Sequence, residues 1–270
     1  MTRDRDTLRR LAVSLPDIPR WLETRSILLS GDAEADGLRE DAGTHFVVRD
    51  TVSGSLAVVG TPEAAAIREA VDASRGATEP LQCREENAGY VAPLLPGWQR
   101  EAAVLHLLAS SANLPKFLVG GTGGMIATPY ADPEAVPVPA DRRLDSVVIR
   151  FISTAELASA TGIPDDLRKE LTIAVLRGRL AVTFVNGVAA SFCYAGATTE
   201  TLWDVSVDTL EPFRRQGYAG LSVAYVIDQM NRERKRPVWG AAESNEASLR
   251  LASKLGFRPV DRITVFWRPE

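Results

Sequence analysis

The residues with the clearest chemical meaning lie between Val207 and Gly220, in the segment VDTLEPFRRQGYAG. Arg214, Arg215 and Gly217 stand in a turn that follows a strand-like stretch and opens directly into an amphipathic helix pattern. The first amide groups of a helix have no partner inside the helix, and the helix dipole attracts anions to that end. Glycine lets a ligand approach the backbone, and arginine supplies counter-charge for phosphate. The pattern predicts an anion cradle for a phosphate-bearing ligand; a solvated basic turn at a surface helix is the alternative.

The elements that would position this turn occupy the second half of the chain. Strands or hairpins are predicted at 145–151, 180–199, 201–207, 238–242 and 262–267, and a helical pair at 154–176 with a break at 162–164. Two further helices are indicated by residues spaced three and four apart: Val223, Val226, Ile227 and Met230 after the turn, and Ser248, Leu251, Ala252 and Leu255 after Asn245 as N-cap.

Three short motifs in this order resemble the GNAT superfamily of acyl-CoA-dependent N-acetyltransferases. They are Arg214-x-x-Gly217-x-Ala219 after Val207-x-Thr209, then Asn245-x-x-Ser248, then Leu255-Gly256-Phe257. The order of strands and helices over about residues 144–270 also matches that fold. The resemblance implies an α/β (α+β) fold, with a mixed, mostly antiparallel sheet flanked by helices.

The resemblance also assigns residues to acetyl-CoA. Backbone groups that contact the pantetheine and the acetyl carbonyl in that superfamily fall on Val207, Asp208 and Thr209. Loop amides that wrap the pyrophosphate fall on Arg214, Arg215, Gln216, Gly217, Tyr218 and Ala219. The asparagine that commonly contacts the cofactor falls on Asn245, and Ser248 lies one helical turn further on the same face. Ser248 is equally well a small residue that packs against the sheet.

The expected chemistry is attack of a neutral amine on a thioester carbonyl. An amine with a pKa of about 10.4 is neutral in about one molecule in 2,500 at pH 7, so a base or a water chain is needed. Glu243, after the cradle helix and its strand, is the first choice for this base, and Asp204, inside the preceding strand, is the second. Each could instead be a structural or solvent-facing carboxylate, because sequence alone does not fix strand register. The amide of Thr209 or its neighbour is the expected oxyanion donor.

Two positions bear on the leaving group and on covalent catalysis. Many superfamily members have a tyrosine four residues before the glycine of the Gly-Phe pair, where it is thought to protonate the leaving thiolate; this chain has Ala252. Another group or water must act there, or the thiolate leaves unaided. Cys193 could suggest a covalent acyl intermediate, but a cysteine in a buried strand is more typical of core packing.

Composition excludes several classes of protein. The 270 residues are 45% apolar and 24% charged, with a net charge of −4, which is typical of a globular protein and gives no basic field for nucleic acid or anionic lipid. Two cysteines and two histidines make a metal site an unfavoured interpretation. The uncharged run 180–199 has the length of a membrane span, but Asn186-Gly187 predicts a hairpin turn within it. We therefore expect a cytoplasmic protein without nucleic-acid or membrane partners.

The chain is predicted to have two parts. Four prolines between Pro129 and Pro139, after the glycine-rich segment 120–124, suggest a linker that divides it into residues 1–140 and 141–270. Residues 45–108 echo the order of elements at the chain end, with Asn87 and Gly97 spaced like Asn245 and Gly256. The first part is thus a candidate degenerate GNAT-like copy. Because its loop lacks arginines, we expect it not to bind coenzyme A but to complete the acceptor cleft or a protein interface.

The function predicted from the sequence is transfer of an acetyl group from acetyl-CoA to a primary amine, directly and in a ternary complex, without a metal. The acceptor would be a small molecule or a peptide. A non-catalytic acyl-CoA-binding or regulatory module is the alternative. Oligomeric state is left open, with a homodimer as one option.

Overall fold

One large sheet organises the protein. The computed structural model describes residues 2–39, 44–75, 80–115, 117–119, 125–127 and 146–268. In these residues, thirteen strands form a single mixed sheet, and only the pairs β3·β4 and β11·β12 are parallel. Helices cover both faces, which confirms the predicted α/β class.

The elements follow in chain order. The first part contains α1 (Arg5–Ser14), α2 (Leu22–Leu29), β1 (Ala33–Arg39), β2 (His45–Asp50), β3 (Leu56–Val59), α3 (Ala64–Ala73), β4 (Leu81–Arg84), α4 (Ala88–Val91), β5 (Gln99–Leu108), β6 (Phe117–Val119) and β7 (Met125–Ala127). The second part contains β8 (Val147–Ile152), α5 (Thr154–Ser159), α6 (Asp165–Arg177), β9 (Leu180–Val185), β10 (Val188–Thr198), β11 (Leu202–Thr209), α7 (Tyr218–Arg232), β12 (Arg236–Ala242), α8 (Glu246–Lys254) and β13 (Phe257–Trp267).

Successive strand residues point to opposite faces, and each face has its own core. Along β11, Leu202 packs in a cluster with Leu22 of α2, whereas Trp203 packs in a cluster with α7. The same alternation in the other strands places α1, α2, α5 and α6 on one face, called the α2 face below. The opposite face, called the α7 face, is covered by α3, α4, α7 and α8. The helix that follows the cradle, α7, therefore lies on the α7 face together with α8.

The sheet joins the two parts of the chain by an exchange of strands. Its order is β1-β2-β3-β4-β13-β5-β12-β11-β10-β9-β8-β7-β6. The strand β5 pairs with β12 on one side and along its whole length with β13 on the other, and β13 in turn pairs with β4. Thus β5 of the first part lies beside β12, and β13 of the second part lies beside β4, the strand that precedes β5. The element orders β2-β3-α3-β4-α4-β5 and β10-β11-α7-β12-α8-β13 are the same, and the degenerate repeat stays a prediction.

An N-terminal polar contact holds the turn between β10 and β11. Arg25, buried on α2, donates to both carboxylate oxygens of Glu200 at 2.8 and 2.7 Å. Asp17 accepts from the Thr199 hydroxyl at 2.7 Å and from the Thr201 amide at 3.0 Å. The start of the chain is therefore packed against the strand that leads into the cradle.

Other sequence predictions have clear outcomes. Asn186 and Gly187 have φ values of 51° and 82° and form the tight turn between β9 and β10, so the uncharged run is a hairpin as predicted. Within the described residues, no helix is both long and apolar enough to span a lipid bilayer. The segments 120–124 and 129–139 lie outside the described residues, and the division at residue 140 stays a prediction.

Candidate active site

The cradle segment forms a sharp turn between β11 and α7. A single turn of 3-10 helix at Glu211–Phe213 leads into Arg215 and Gly217, whose φ values are 61° and 87°. Gly217 immediately precedes α7, and a Cβ at this position would meet no atom within 4 Å. Glycine is thus favoured by the left-handed backbone conformation and not by crowding within the protein.

The turn leaves backbone donors available. In the described part of the chain, no group accepts a hydrogen bond from the amides of Arg215, Gln216 and Gly217. The amide of Arg214 is used, because it donates to the carbonyl of Glu211 at 3.2 Å. Consecutive free amides beside a helix N-terminus are the geometry that binds phosphate oxygens.

The side chains of the cradle differ in their exposure to solvent. Arg214 and Arg215 are exposed, and Arg214 Nε donates to the Thr209 carbonyl at 3.0 Å. Gln216 Nε2 donates to the Pro212 carbonyl at 3.0 Å and so fixes the turn internally. Tyr218 is buried on the α7 face, where its ring meets Phe213 edge-on. Ala219, in the first turn of α7, is half-buried.

Beside the cradle, the sheet opens. The parallel pairing of β11 with β12 covers only three residue pairs, from Leu202 with Arg236 to Asp204 with Val238. Beyond Asp204, β11 continues to Thr209 while β12 remains paired with β5. The two strands therefore part toward the cradle and leave an opening between them.

The backbone of β11 presents specific groups to this opening. The amide of Leu210 donates to Ala190 of the neighbouring chain segment at 3.0 Å, and hydrogen-bonded pairs alternate along an antiparallel ladder. Consequently the amides of Val207 and Thr209 point away from β10 and toward the opening. The backbone of Asp208 faces β10, and its carbonyl accepts from Ser191 Oγ at 2.9 Å. Of the three residues expected to offer backbone groups, Val207 and Thr209 are placed to do so.

Asp204 lies on the α2 face of β11, where the opening begins. Burial raises the pKa of its carboxyl to about 6, and a hydrogen bond from Ser206 Oγ at 3.1 Å partly offsets this. Gly196 and Gly240 flank the carboxylate, and a Cβ on Gly196 would come within 3.0 Å of Asp204 Oδ2. A carboxylate with a pKa near 6 can accept a proton at neutral pH.

Glu243 has a different environment. It follows β12, is exposed, and forms an ion pair with Arg262 of β13. Its amide donates to the carbonyl of Ala102 at 3.0 Å, which fixes the end of β12 against β5. Of the two carboxylates expected near the cleft, Asp204 is the one whose environment suits a proton acceptor.

The motif after β12 has structural roles. Asn245 is the N-cap of α8, and its side chain accepts from the Ser248 amide at 3.1 Å. Ser248 Oγ accepts from the indole N–H of the buried Trp239 at 2.9 Å. The two residues thus fix α8 against β12, which agrees with the packing interpretation of Ser248.

A second group of polar side chains lies near the site on the α2 face, and the sequence analysis did not identify it. Tyr194 of β10 donates its hydroxyl to Glu170 of α6, and Asp208 lies close to both. Burial, followed by the negative charge of Glu170, raises the pKa of Asp208 to about 6. The sequence contains one signal for this group: Asp204, Ser206 and Asp208 alternate along one strand, so their side chains lie on the same face.

Comparison with known families assigns this region. The family model described as GNAT acetyltransferase matches residues 178–266, which include the cradle, the opening and α8. This region is a GNAT acetyltransferase domain.

Solved structures share the fold of the whole chain. A GCN5-related N-acetyltransferase-like protein from Streptococcus suis has 16% sequence identity and a TM-score of 0.66, and the match covers 97% of this chain and 99% of that chain. An acetyltransferase from the GNAT family of Colwellia psychrerythraea has 13% identity and a TM-score of 0.55, covering 100% of this chain and 98% of that one. Comparison with curated proteins found no match.

The remaining sequence candidates can be placed in the GNAT domain. Ala252 is fully buried in the core between α7 and α8, so no hydroxyl is available at that position. Cys193 is fully buried in the same core, and burial raises the pKa of its thiol well above the usual value. Among the described residues, no group of three or more His, Cys, Asp or Glu side chains is arranged to hold a metal ion.

Proposed function

We propose that this chain transfers an acetyl group from acetyl-CoA to a primary amine. The GNAT match supports acetyl transfer in general. The observation that supports acetyl-CoA as the acetyl donor is the row of free amides at Arg215, Gln216 and Gly217, which lies next to the opening between β11 and β12.

The residues present fit coenzyme A. The free amides and the N-terminal end of α7 would hold the diphosphate, with the exposed guanidinium groups of Arg214 and Arg215 as counter-charges. The opening would take the extended pantetheine, whose amides could pair with the strand edge at Val207 and Thr209. When bound, acetyl-CoA supplies the activated thioester.

In the proposed mechanism, the backbone amides of β11 donate hydrogen bonds to the thioester carbonyl, and Asp204 is the base. The amide of Val207 or Thr209 donates to the carbonyl oxygen and stabilises the negative charge that develops there. Asp204 accepts, directly or through water, the proton that the attacking amine loses. A C–N bond forms and the C–S bond breaks, and the thiolate takes its proton from solvent because Ala252 offers none.

The assay for this proposal is release of free thiol from acetyl-CoA with a panel of amines. Asp204→Asn should lower kcat at least 100-fold while the Kd for coenzyme A stays within twofold, because the carboxylate lies away from the cradle. Glu243→Gln is the matched control, since Glu243 is paired with Arg262 at the surface. Equal losses in the two variants would contradict the role of Asp204. Binding of acetyl-CoA without any turnover would favour the non-catalytic module.

A further inference from the structure

The cluster formed by Glu170, Tyr194 and Asp208 has no role in the proposed mechanism. Phe192 and Tyr194 of β10 lie opposite Asp208 and Ser206 of β11, so Tyr194 and Asp208 are diagonal neighbours on the α2 face. The Tyr194 hydroxyl has one proton, and it is donated to Glu170. The two carboxylates therefore share one neutral phenol.

The charge around this cluster is not balanced by α6. Arg168 donates to the carbonyls of Leu157 and Ala160, at 2.7 Å in each case. Lys169 is paired with an aspartate in the first turn of α6, and Arg177 with the buried Asp50 of β2. Within the described residues, the cations of this helix are thus engaged elsewhere.

Among the residues that the structure describes, Arg214 is the one cation whose field lowers the pKa of Asp208. Arg214 is anchored on the Thr209 carbonyl and belongs to the cradle, where the proposed function places it against a diphosphate. With that anion bound, the positive charge of Arg214 would be shared with the diphosphate, and the two carboxylates of the cluster would be less well balanced. A bound cation would restore the balance.

The cluster also has a suitable position, independent of its charge. Tyr218 and α7 lie on the opposite face of the sheet, and the pairing of β11 with β12 ends at Asp204, whose side chain lies on the α2 face. Asp204 and Asp208 are four residues apart on one side of the strand, which separates them by about 13 Å at about 3.3 Å per residue. Glu170 is exposed, Asp208 is half-buried and Tyr194 is buried, so a ligand would reach the cluster from the side of Glu170.

We propose that Glu170, Tyr194 and Asp208 bind a second cationic group of the acceptor, so that the preferred substrate is a primary amine that carries another positive charge. This inference rests on the proposed function. The reacting amine itself is not bound at the cluster, because two carboxylates would hold it protonated and unreactive. Separate places for the anchoring ammonium at Asp208 and the reacting amine at Asp204 resolve that conflict.

The kinetic test compares acceptors of one length and different charge. Thiol release is measured with 1,6-diaminohexane, 1-aminohexane and 6-aminohexanoate. We expect kcat/KM for the diamine to exceed that for the monoamine at least tenfold, mainly through KM, and the acid to be the poorest acceptor. In Asp208→Asn and Glu170→Gln the ratio of diamine to monoamine should fall toward one. Asp228→Asn changes a half-buried carboxylate of α7 that is paired with Arg232; it is the control and should keep the ratio. Equal efficiency for all three acceptors would overturn the inference.

A binding measurement separates this inference from the proposed function. Calorimetric titration of 1,6-diaminohexane into the full chain saturated with coenzyme A requires no turnover. Binding that weakens at least fivefold in Asp208→Asn supports the cation site even in a chain that releases no thiol, and that outcome would contradict only the transferase proposal. Diamine affinity that is the same in the parent chain, in Asp208→Asn and in Glu170→Gln would refute the cation site, whatever the turnover.

Discussion

Replacing Gly217 with alanine isolates the contribution of the cradle backbone. Gly217 has a φ of 87°, and an added Cβ would meet no atom within 4 Å, so the substitution introduces no clash. Its only cost is the left-handed conformation, which disfavours a residue with a side chain by about 1–2 kcal/mol. Because the turn is exposed, the variant can relax when no ligand is bound.

The cost should therefore appear in ligand binding. Coenzyme A must restore the left-handed turn to reach the amides of Arg215, Gln216 and Gly217, and about 1–2 kcal/mol corresponds to an affinity about 5- to 30-fold weaker. We expect this change in Kd by isothermal titration calorimetry, with a smaller change in the free energy of unfolding.

Gly187→Ala is the matched control. Gly187 has a φ of 82° and equally open surroundings, but its turn is held by the β9–β10 ladder. There the same backbone cost should lower the free energy of unfolding by about 1–2 kcal/mol and leave the affinity for coenzyme A unchanged. If Gly217→Ala binds coenzyme A as tightly as the parent chain, the cradle does not bind the diphosphate as proposed.

Three further outcomes are expected. Burial raises the pKa of Asp204 from 3.8 to about 6, so the folded state loses stability as pH rises from about 4 to 6; Asp204→Asn should therefore stabilise the fold by about 3 kcal/mol at pH 7.5 but not at pH 4, in urea titrations at both pH values. Arg25→Met removes the buried donor to the carbonyls of Ala12 and Leu15 and should lower the free energy of unfolding by about 2 kcal/mol, whereas a change below about 0.5 kcal/mol would show that the N-terminal contact is dispensable. Calorimetry should give one coenzyme A per chain. In the first part, the loop that corresponds to the cradle already uses its Thr61 amide, which donates to His45 Nδ1 at 2.8 Å. A stoichiometry of two would show that this loop also binds coenzyme A.

The cradle could be predicted because its signals are local. A left-handed glycine, a helix start and two arginines within six residues define the turn, and the hairpin at Asn186-Gly187 is likewise encoded by two neighbours. The opening beside the cradle could not be predicted. It depends on where the pairing of β11 with β12 ends, and that is set by the packing of β5 against β12.

The roles of the carboxylates show the same limit. The sequence places Glu243 and Asp204 at strands beside the cradle, so both are candidates for the base. It does not show that Glu243 pairs with Arg262, because Arg262 lies on another strand. The neighbourhood of Asp208 depends on how α6 docks on the sheet, which brings Glu170 to Tyr194. Sequence could show that Asp204 and Asp208 share a face, but not which helix covers that face.

The exchange of β5 and β13 makes the chain indivisible. If the chain were cut between the two parts, β5 of the N-terminal fragment would lose both of its neighbouring strands. In the C-terminal fragment, β12 and β13 would no longer be joined by the strand that lies between them. Each fragment would then expose several unsatisfied strand edges, which can pair with another chain. The protein should accordingly melt in one concerted step, and severed halves should recover the native sheet only by finding one another.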